Sequence, residues 1–300
     1  MPERGLSPAL TRRAISAGPG WSVNDVAYTA GDENRPLRDQ HGLVSIVVIA
    51  AGSFRYRSTH GSVMLAPGAL LLGNAGSTYE CTFAHSPGDR CIHFAYTPDL
   101  IEEIAREVPA ARGTEFRMHR IPPVPAILSL SARAVLQSAT HDRERWEELA
   151  LSVAGQVLGL LSDEAKPVAP CSRRDERRVS EVLQAIETHH AEPLSIAKLS
   201  SMACMSPYHF MRTFRALVGV SPYQYLLHTR LRQAALAVGE TSESIAAIAY
   251  GAGFGDLSTF AKAFRRAFAL TPVQFRAAVR AGTAPRAPAR NLGGAYPAVR

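Results

Sequence analysis

The chain has 300 residues, 46% hydrophobic and 20% charged, the balance of a soluble globular protein with room for two domains that each bury a core. No run approaches the roughly eighteen apolar residues of a membrane span, and the arginine-bearing first twenty residues lack the apolar stretch of a secretory signal. The net charge of +7 is uneven: from Arg173 onward 17 Lys and Arg face 8 Asp and Glu, a balance of +9, against −2 for the rest, as expected if the second half meets a polyanion.

Residues 1–20, rich in Pro, Gly, Ser and Arg, are expected to form a flexible tail. A first domain is expected over 21–161, and it opens with strands. Leu43 to Ala50, Gly52 to Arg57, Ser62 to Leu65, Ala69 to Leu72, Tyr79 to Phe83 and Cys91 to Tyr96 are short apolar runs divided by Gly, Pro, Asn or Ser. Strands at this spacing are most economically closed into a small antiparallel sandwich or barrel. From Asp99 the period becomes helical, and Ile127 to Val135 and Trp146 to Leu161 read as helices. Leu149, Ala150, Val153, Val157, Leu160 and Leu161 make a broad apolar stripe, expected to serve a dimer seam or to pack on its own sheet plus a partner, with ordinary intradomain packing as the alternative. Residues 162–177, polar and with two prolines, are the expected linker. A helical domain over 178–280 and a flexible tail over 281–300 complete the division. His189 and His190 are adjacent, so on a helix they point in different directions and read as helix-end residues rather than metal ligands.

The helical domain contains one pattern twice. Ile196, Leu199, Ala203 and Met205 lead to Ser206-Pro207, Phe210, Arg212, Phe214 and Arg215; Ile245, Ile248, Ala252 and Phe254 lead to Gly255-Asp256, Phe260, Lys262, Phe264 and Arg265. The offset is 49 residues before the turn and 50 after it, so one residue has been added between copies. Ser221-Pro222 and Tyr225 recur as Thr271-Pro272 and Phe275, which argues for two related supersecondary units.

Each unit has the physical form of a helix-turn-helix. Ser195 and Ser244 (or Ser242) are expected to cap the first helices, and Ser206 and Asp256 the second. Pro207 suits a first helical turn, where a missing N–H costs nothing. Phe210 with Phe214, and Phe260 with Phe264, lie four apart and form buried ridges, which leaves a polar edge for the major groove. The expected DNA-binding residues are Ser206, Tyr208, His209, Met211 and Arg212 in the first unit, and Leu257, Ser258, Ala261, Lys262, Arg265 and Arg266 in the second. Arg212 can donate to guanine O6 and N7, while Arg265 and Arg266 suit phosphates. Between the units, Pro222 to Val238 reads as one helix of roughly 25 Å that can hold two reading heads about one DNA turn apart.

The stretches LSIAKLSSMACMSPYHFMRTFRALVGVSPYQYLLHTRLRQAA and SIAAIAYGAGFGDLSTFAKAFRRAFALTPVQFR closely resemble the AraC/XylS family of bacterial transcription regulators over about 90 residues. The blocks AYGAGFGD, FAKAFRRAF and TPVQF stand in family order. The resemblance implies two linked units in adjacent major grooves, with Tyr208 and Arg212, then Leu257, Ser258 and Lys262, at positions that commonly contact bases. Cys204 and Ala269 depart from the pattern by standing where the family often has glycine; if either position needs positive φ, the turn is strained or differently built. The amino-terminal half is more loosely similar to the cupin-like effector or dimerisation domains of many members. Family membership implies control of transcription, often activation through contact with RNA polymerase.

Cys81, His85, Cys91 and His93 form a second candidate site, to be compared with His41 and His60, because thiolates and imidazoles bind transition metals such as zinc. Paired as a hairpin around Ser86 to Asp89, Cys81 would face away from Cys91 and His93; a bulge could reunite them. A bound metal, a thiol sensor and a structural or organic-ligand role therefore stay open. The expected protein is a cytoplasmic, homodimeric, non-enzymatic regulator that binds double-stranded DNA and no membrane. Its fold class is an amino-terminal all-β cupin-like sandwich or barrel with added helices, followed by an all-α domain with two helix-turn-helix units. The alternatives are a metal-dependent cupin-type enzyme and an RNA-binding adaptor, which would read shape without preferring duplex DNA.

Overall fold

The computed structural model describes residues 10–28, 36–59, 61–83, 88–109, 111, 113–138, 142–161 and 171–281. In chain order the first half runs β1 (Leu10–Gly18), β2 (Trp21–Tyr28), β3 (Leu37–Gln40), β4 (Val44–Ala51), β5 (Phe54–Ser58), β6 (Gly61–Leu65), β7 (Leu70–Gly73), β8 (Thr78–Phe83), β9 (Asp89–Tyr96), α1 (Pro98–Glu107), β10 (Arg120–Ile121), α2 (Pro125–Gln137) and α3 (Arg143–Leu160). One sheet has the order β1-β2-β9-β4-β7-β10, the other β3-β8-β5-β6. Between them lie Val47, Ile49, Phe54, Tyr56, Leu65, Leu71 and Cys81. The other face of the larger sheet, with Ile46, Val48, Leu70, Leu72, Ile92 and Phe94, packs on α1, α2 and α3. The β-rich, cupin-like reading of this half therefore holds.

Two boundaries are corrected here. The flexible tail of 1–20 ends too late, because β1 pairs along β2 through a Pro19-Gly20 turn whose glycine has φ 76°, and Ile15 is buried. The apolar stripe on α3 packs on this domain's own sheet: Leu149, Ala150, Val153 and Val157 are fully buried, Leu160 and Leu161 are partly buried on the same core, and Tyr96 Oη donates to Ala150 O at 2.8 Å. The linker of 162–177 ends too late as well. α4 (Arg173–His189) starts at Arg173, with Ser172 Oγ accepting from Asp175 N at 3.1 Å and acidic Asp175 and Glu176 in its first turn.

The second half continues with α5 (Ile196–Met202), α6 (Pro207–Val218), α7 (Pro222–Glu240), α8 (Ile245–Gly251), α9 (Leu257–Phe268) and α10 (Pro272–Ala281). The bounds reproduce the repeat: α8 follows α5 by 49 residues, and α9 follows α6 by 50. α7 has 19 residues, roughly 28 Å, and belongs to both units. The halves touch along a broad seam, since Met64, Ala66 and Val124 pack with the first unit and Leu128 and Ala132 with the second. Arg55 of β5 also pairs with Glu176 of α4. No helix among the described residues is long and apolar enough to cross a membrane.

Candidate nucleic-acid interface and barrel site

Each reading helix is built from its cap and its ridge. Ser206 Oγ accepts from His209 N at 3.4 Å to start α6, and Asp256 Oδ1 accepts from Thr259 N at 2.7 Å to start α9. Ser195 and Ser244 cap α5 and α8 in the same way. Phe210 and Phe214 are fully buried, with Tyr225 edge-on to Phe214 at 5.9 Å; Phe260, Phe264, Phe268 and Phe275 form a continuous ring cluster in the second unit. Dispersion and apolar burial thus fix which face of each helix turns outward.

The outward edges carry the residues expected from the sequence. Ser206, Tyr208, Met211 and Arg212 are exposed and His209 half-buried; Leu257, Ser258, Lys262, Arg265 and Arg266 are exposed and Ala261 half-buried. Tyr208 reaches 74% exposure, an unusual position for an aromatic ring that has no packing task. Cys204 has φ 48° and Ala269 φ 61°, so both departures from glycine occupy the left-handed region. Their repeat partners, Gly253 at φ 86° and Gly219 at φ 90°, show the same geometry with the usual residue.

Sequence reasoning did not find the ties that hold each unit to its helices. Arg230 donates from Nε to His190 O at 2.7 Å and from Nη2 to Glu192 O at 3.0 Å; Arg276 donates from Nε to Val238 O at 3.1 Å and from Nη2 to Glu243 O at 2.7 Å. Each guanidinium thus pins the junction ahead of its unit. Glu187 of α4 accepts from Tyr225 Oη at 2.8 Å and Thr229 Oγ1 at 3.0 Å and pairs with Arg232. Burial works against the Arg232 charge, but Glu187 outweighs it and raises its pKa.

The first half carries a different chemistry. β8 and β9 are not a hairpin: Cys81 lies across from Leu37 and Tyr56 in the smaller sheet, and Cys91 across from Val26 and Ile49 in the larger. Both thiols belong to the cluster between the sheets, so they approach across the barrel rather than along one ladder. Burial pushes the Cys81 thiol up to about 12 and the Cys91 thiol higher, which disfavours a reactive thiolate. His93 engages both nitrogens, taking a hydrogen bond from Arg12 Nη2 at Nδ1 (3.0 Å) and facing Ser45 Oγ from Nε2 (3.0 Å). His85 and His60 lie outside the described residues. Among the described residues, no group of three or more His, Cys, Asp or Glu is placed to hold a metal.

What the barrel does assemble is a polar chain. With His93 Nδ1 accepting from Arg12, its Nε2 carries the proton toward Ser45, whose hydroxyl also stands 3.1 Å from His41 Nδ1. His41 Nε2 lies 3.0 Å from Tyr56 Oη, and its ring packs at 4.4 Å on Tyr79. Gly73 leaves the space this ring needs, since a Cβ there would fall 2.3 Å from His41 Nε2. Burial lowers His41 to about 4 and His93 to about 3, so both imidazoles are neutral at pH 7. Close by, an open groove of about 690 Å³ is lined by Arg38, Asp39, Arg57, Ser58, Tyr79 and Glu80.

Residues 27–158 match a family model described as an AraC-like ligand binding domain, and residues 199–278 one described as a helix-turn-helix domain. The DNA-binding domain of AdpA, solved in complex with a target DNA, is 31% identical and covers 35% of this chain and 95% of its own, with a TM-score of 0.34. The chain belongs to the AraC/XylS family of bacterial transcription regulators. Within that family it is similar to the HTH-type transcriptional regulator MtrA of Neisseria gonorrhoeae, 32% identical over 101 residues, which are 34% of each chain. It is 29% identical over 195 residues to the HTH-type transcriptional regulator YbfI of Bacillus subtilis (strain 168), 64% of this chain and 69% of that one. The chain thus spans about a third of the length of MtrA and more than two thirds of YbfI.

Proposed function

We propose that this chain is a sequence-specific, double-stranded-DNA-binding regulator of transcription, and not an enzyme, whose amino-terminal half responds to a small-molecule effector. The observation that carries the reading is the pair of capped helices, α6 and α9, each packed by a phenylalanine ridge and each turning an unpacked edge to solvent. Tyr208 and Arg212 on one, and Leu257, Ser258 and Lys262 on the other, are the proposed base-reading residues; Ser206, His209, Met211, Ala261, Arg265 and Arg266 complete the contact. The match of 27–158 to a ligand-binding domain and the Arg12–His93–Ser45–His41–Tyr56 chain support an effector site in the barrel. The engaged His93 and the protonated thiols favour an organic, hydrogen-bonding effector over a metal at Cys81, His85, Cys91 and His93. Homodimerisation, contact with RNA polymerase and a cytoplasmic location belong to the same proposal and draw their support from family membership.

Selection of genomic DNA fragments with the purified full chain, followed by footprinting, tests the reading. The expected product is one bipartite site with half-elements about one helical turn, ~34 Å, apart. Shape-dependent binding to RNA without preference for duplex DNA would overturn it. Metal analysis of protein purified without an affinity tag tests the effector class, and stoichiometric zinc, copper or iron would overturn the organic reading.

A further inference from the structure

One segment of the first half, His119 to Ala132, touches each part that such a regulator has to coordinate. His119 belongs to the barrel: its Nε2 stands 2.5 Å from Ser58 Oγ, its Nδ1 faces Leu72 O at 3.4 Å, and its ring lies 5.3 Å from that of Tyr56. The next residue turns to the other half. Arg120 donates to Met64 O at 2.9 Å, at the end of β6, and to Leu217 O in the last turn of α6. Leu217 O is one of the carbonyls that a helix end leaves without an intrahelical donor. The first reading helix is therefore closed by a cation from outside its own domain.

The neighbouring residues extend the clamp. A Cβ on Gly219, the left-handed cap of α6, would stand 2.7 Å from Pro122 Cβ and 3.1 Å from Arg120 Nη2, so the approach needs glycine for its space as well as for its φ of 90°. Pro123 O accepts from His228 Nδ1 on α7. Leu128 and Ala132 of α2 share one core with Leu231 and Ala235 of α7 and Phe264 and Phe268 of α9. Burial holds the Arg120 guanidinium down to about 10, and the groups that receive it are the carbonyls of Met64 and Leu217.

We propose that His119 to Ala132 is the positioning element of this protein. It holds the two reading heads at the separation a bipartite site requires, Arg120 ties down the first head, and an effector in the barrel reaches that head through the adjoining His119 and Arg120. This rests on the regulator reading above. His119 stands at the bend that enters β10 and is joined to Arg120 by one peptide bond, so a displacement of the His119 backbone moves the Arg120 side chain with it. Heads held in place before binding lose less freedom on a two-part site, and the benefit vanishes on either half alone.

The test uses the full chain as wild type, Arg120→Ala, Arg120→Lys and Ser58→Ala, with two readouts: amide hydrogen exchange at residues 215–220 without DNA, and affinity for the selected site and each half-element. Arg120→Ala is expected to speed exchange at the end of α6 about tenfold and to weaken full-site binding about tenfold, while each half-element changes by less than about threefold. Arg120→Lys falls between, because an ammonium lacks the fork that spans two carbonyls. Ser58→Ala moves both readouts in the same direction by a smaller factor. Unchanged exchange in Arg120→Ala, tighter full-site binding, or equal losses on full and half sites would each overturn the clamp; exchange in Ser58→Ala equal to wild type would overturn the barrel link. If the wild type selects no duplex DNA, the regulator reading fails by itself, and exchange still decides whether Arg120 holds α6.

Discussion

In the first helix-turn-helix unit a cysteine occupies the left-handed turn between the helices and a glycine caps the reading helix; in the second, glycine is at the turn and alanine at the cap. The backbone is the same at both pairs of positions, with φ of 48° and 86° at the turns and 90° and 61° at the caps. Packing around the turn, and not the residue at it, therefore determines its conformation. The anchors differ in strength as well. Phe264 meets Phe260, Phe268 and Phe275, whereas Phe214 meets Phe210 and Tyr225, and Tyr225 is in turn held by Glu187. The second unit relies on an aromatic cluster, and the first shares its load with a half-buried ion pair between Glu187 and Arg232.

The largest effect that can break this comparison is truncation of the anchors. Phe264→Ala is expected to destabilise by about 3–5 kcal/mol and Phe214→Ala by somewhat less, read from far-UV circular dichroism melts. An equal or reversed order would mean that the two cores are equivalent after all. Next come the reading edges. Arg212→Ala and Lys262→Ala should each cost about 1–3 kcal/mol of binding at their own half-element, with the melt unchanged. A loss spread evenly over altered half-elements would reduce both side chains to phosphate contacts.

Smaller effects sharpen the comparison. Cys204→Gly and Ala269→Gly relieve a left-handed L-residue worth roughly 1–2 kcal/mol but add about 0.5–1 kcal/mol of chain entropy, for a net gain of about 0.5 kcal/mol each. Gly253→Ala or Gly219→Ala should destabilise by more than those changes stabilise, since a Cβ at 253 would fall 2.8 Å from Ala191 O. The smallest effect is that of acid. The hydrogen bond from Thr259 N holds the Asp256 carboxylate below its usual range, so its contribution is complete above about pH 4 and is lost as the pH falls through the lowered value. Ser206, its counterpart, does not titrate. Asp256→Ser should therefore flatten the acid limb of the second unit's stability and leave the first unit's untouched, measured by amide exchange between pH 3 and pH 6.

The second half was far more legible from sequence than the first, for physical reasons. In the helical repeat the caps, ridges and turns are all set by residues within four or five positions, so Ser206, Phe210 and Asp256 declare their tasks locally. Strand pairing is not local. β1 carries Arg12, Arg13 and a register shift between Ala14 and Ser16, leaves only Ile15 buried, and so resembles a tail in composition. Cys81 and Cys91 are ten residues apart, which suggested a hairpin, but their strands pair with β5 and β4 in different sheets. His119 and Arg120 carried no local signal, because a two-residue strand takes its meaning from what lies on either side of it.

The single residue added at Gly255, between α8 and α9, gives the molecule a head and a tail. With unlike elbows and unlike edges, the two halves cannot trade places on a stretch of duplex, so a bound molecule has a direction along the promoter. Reversing a target sequence end for end would present a different arrangement to anything waiting beside it.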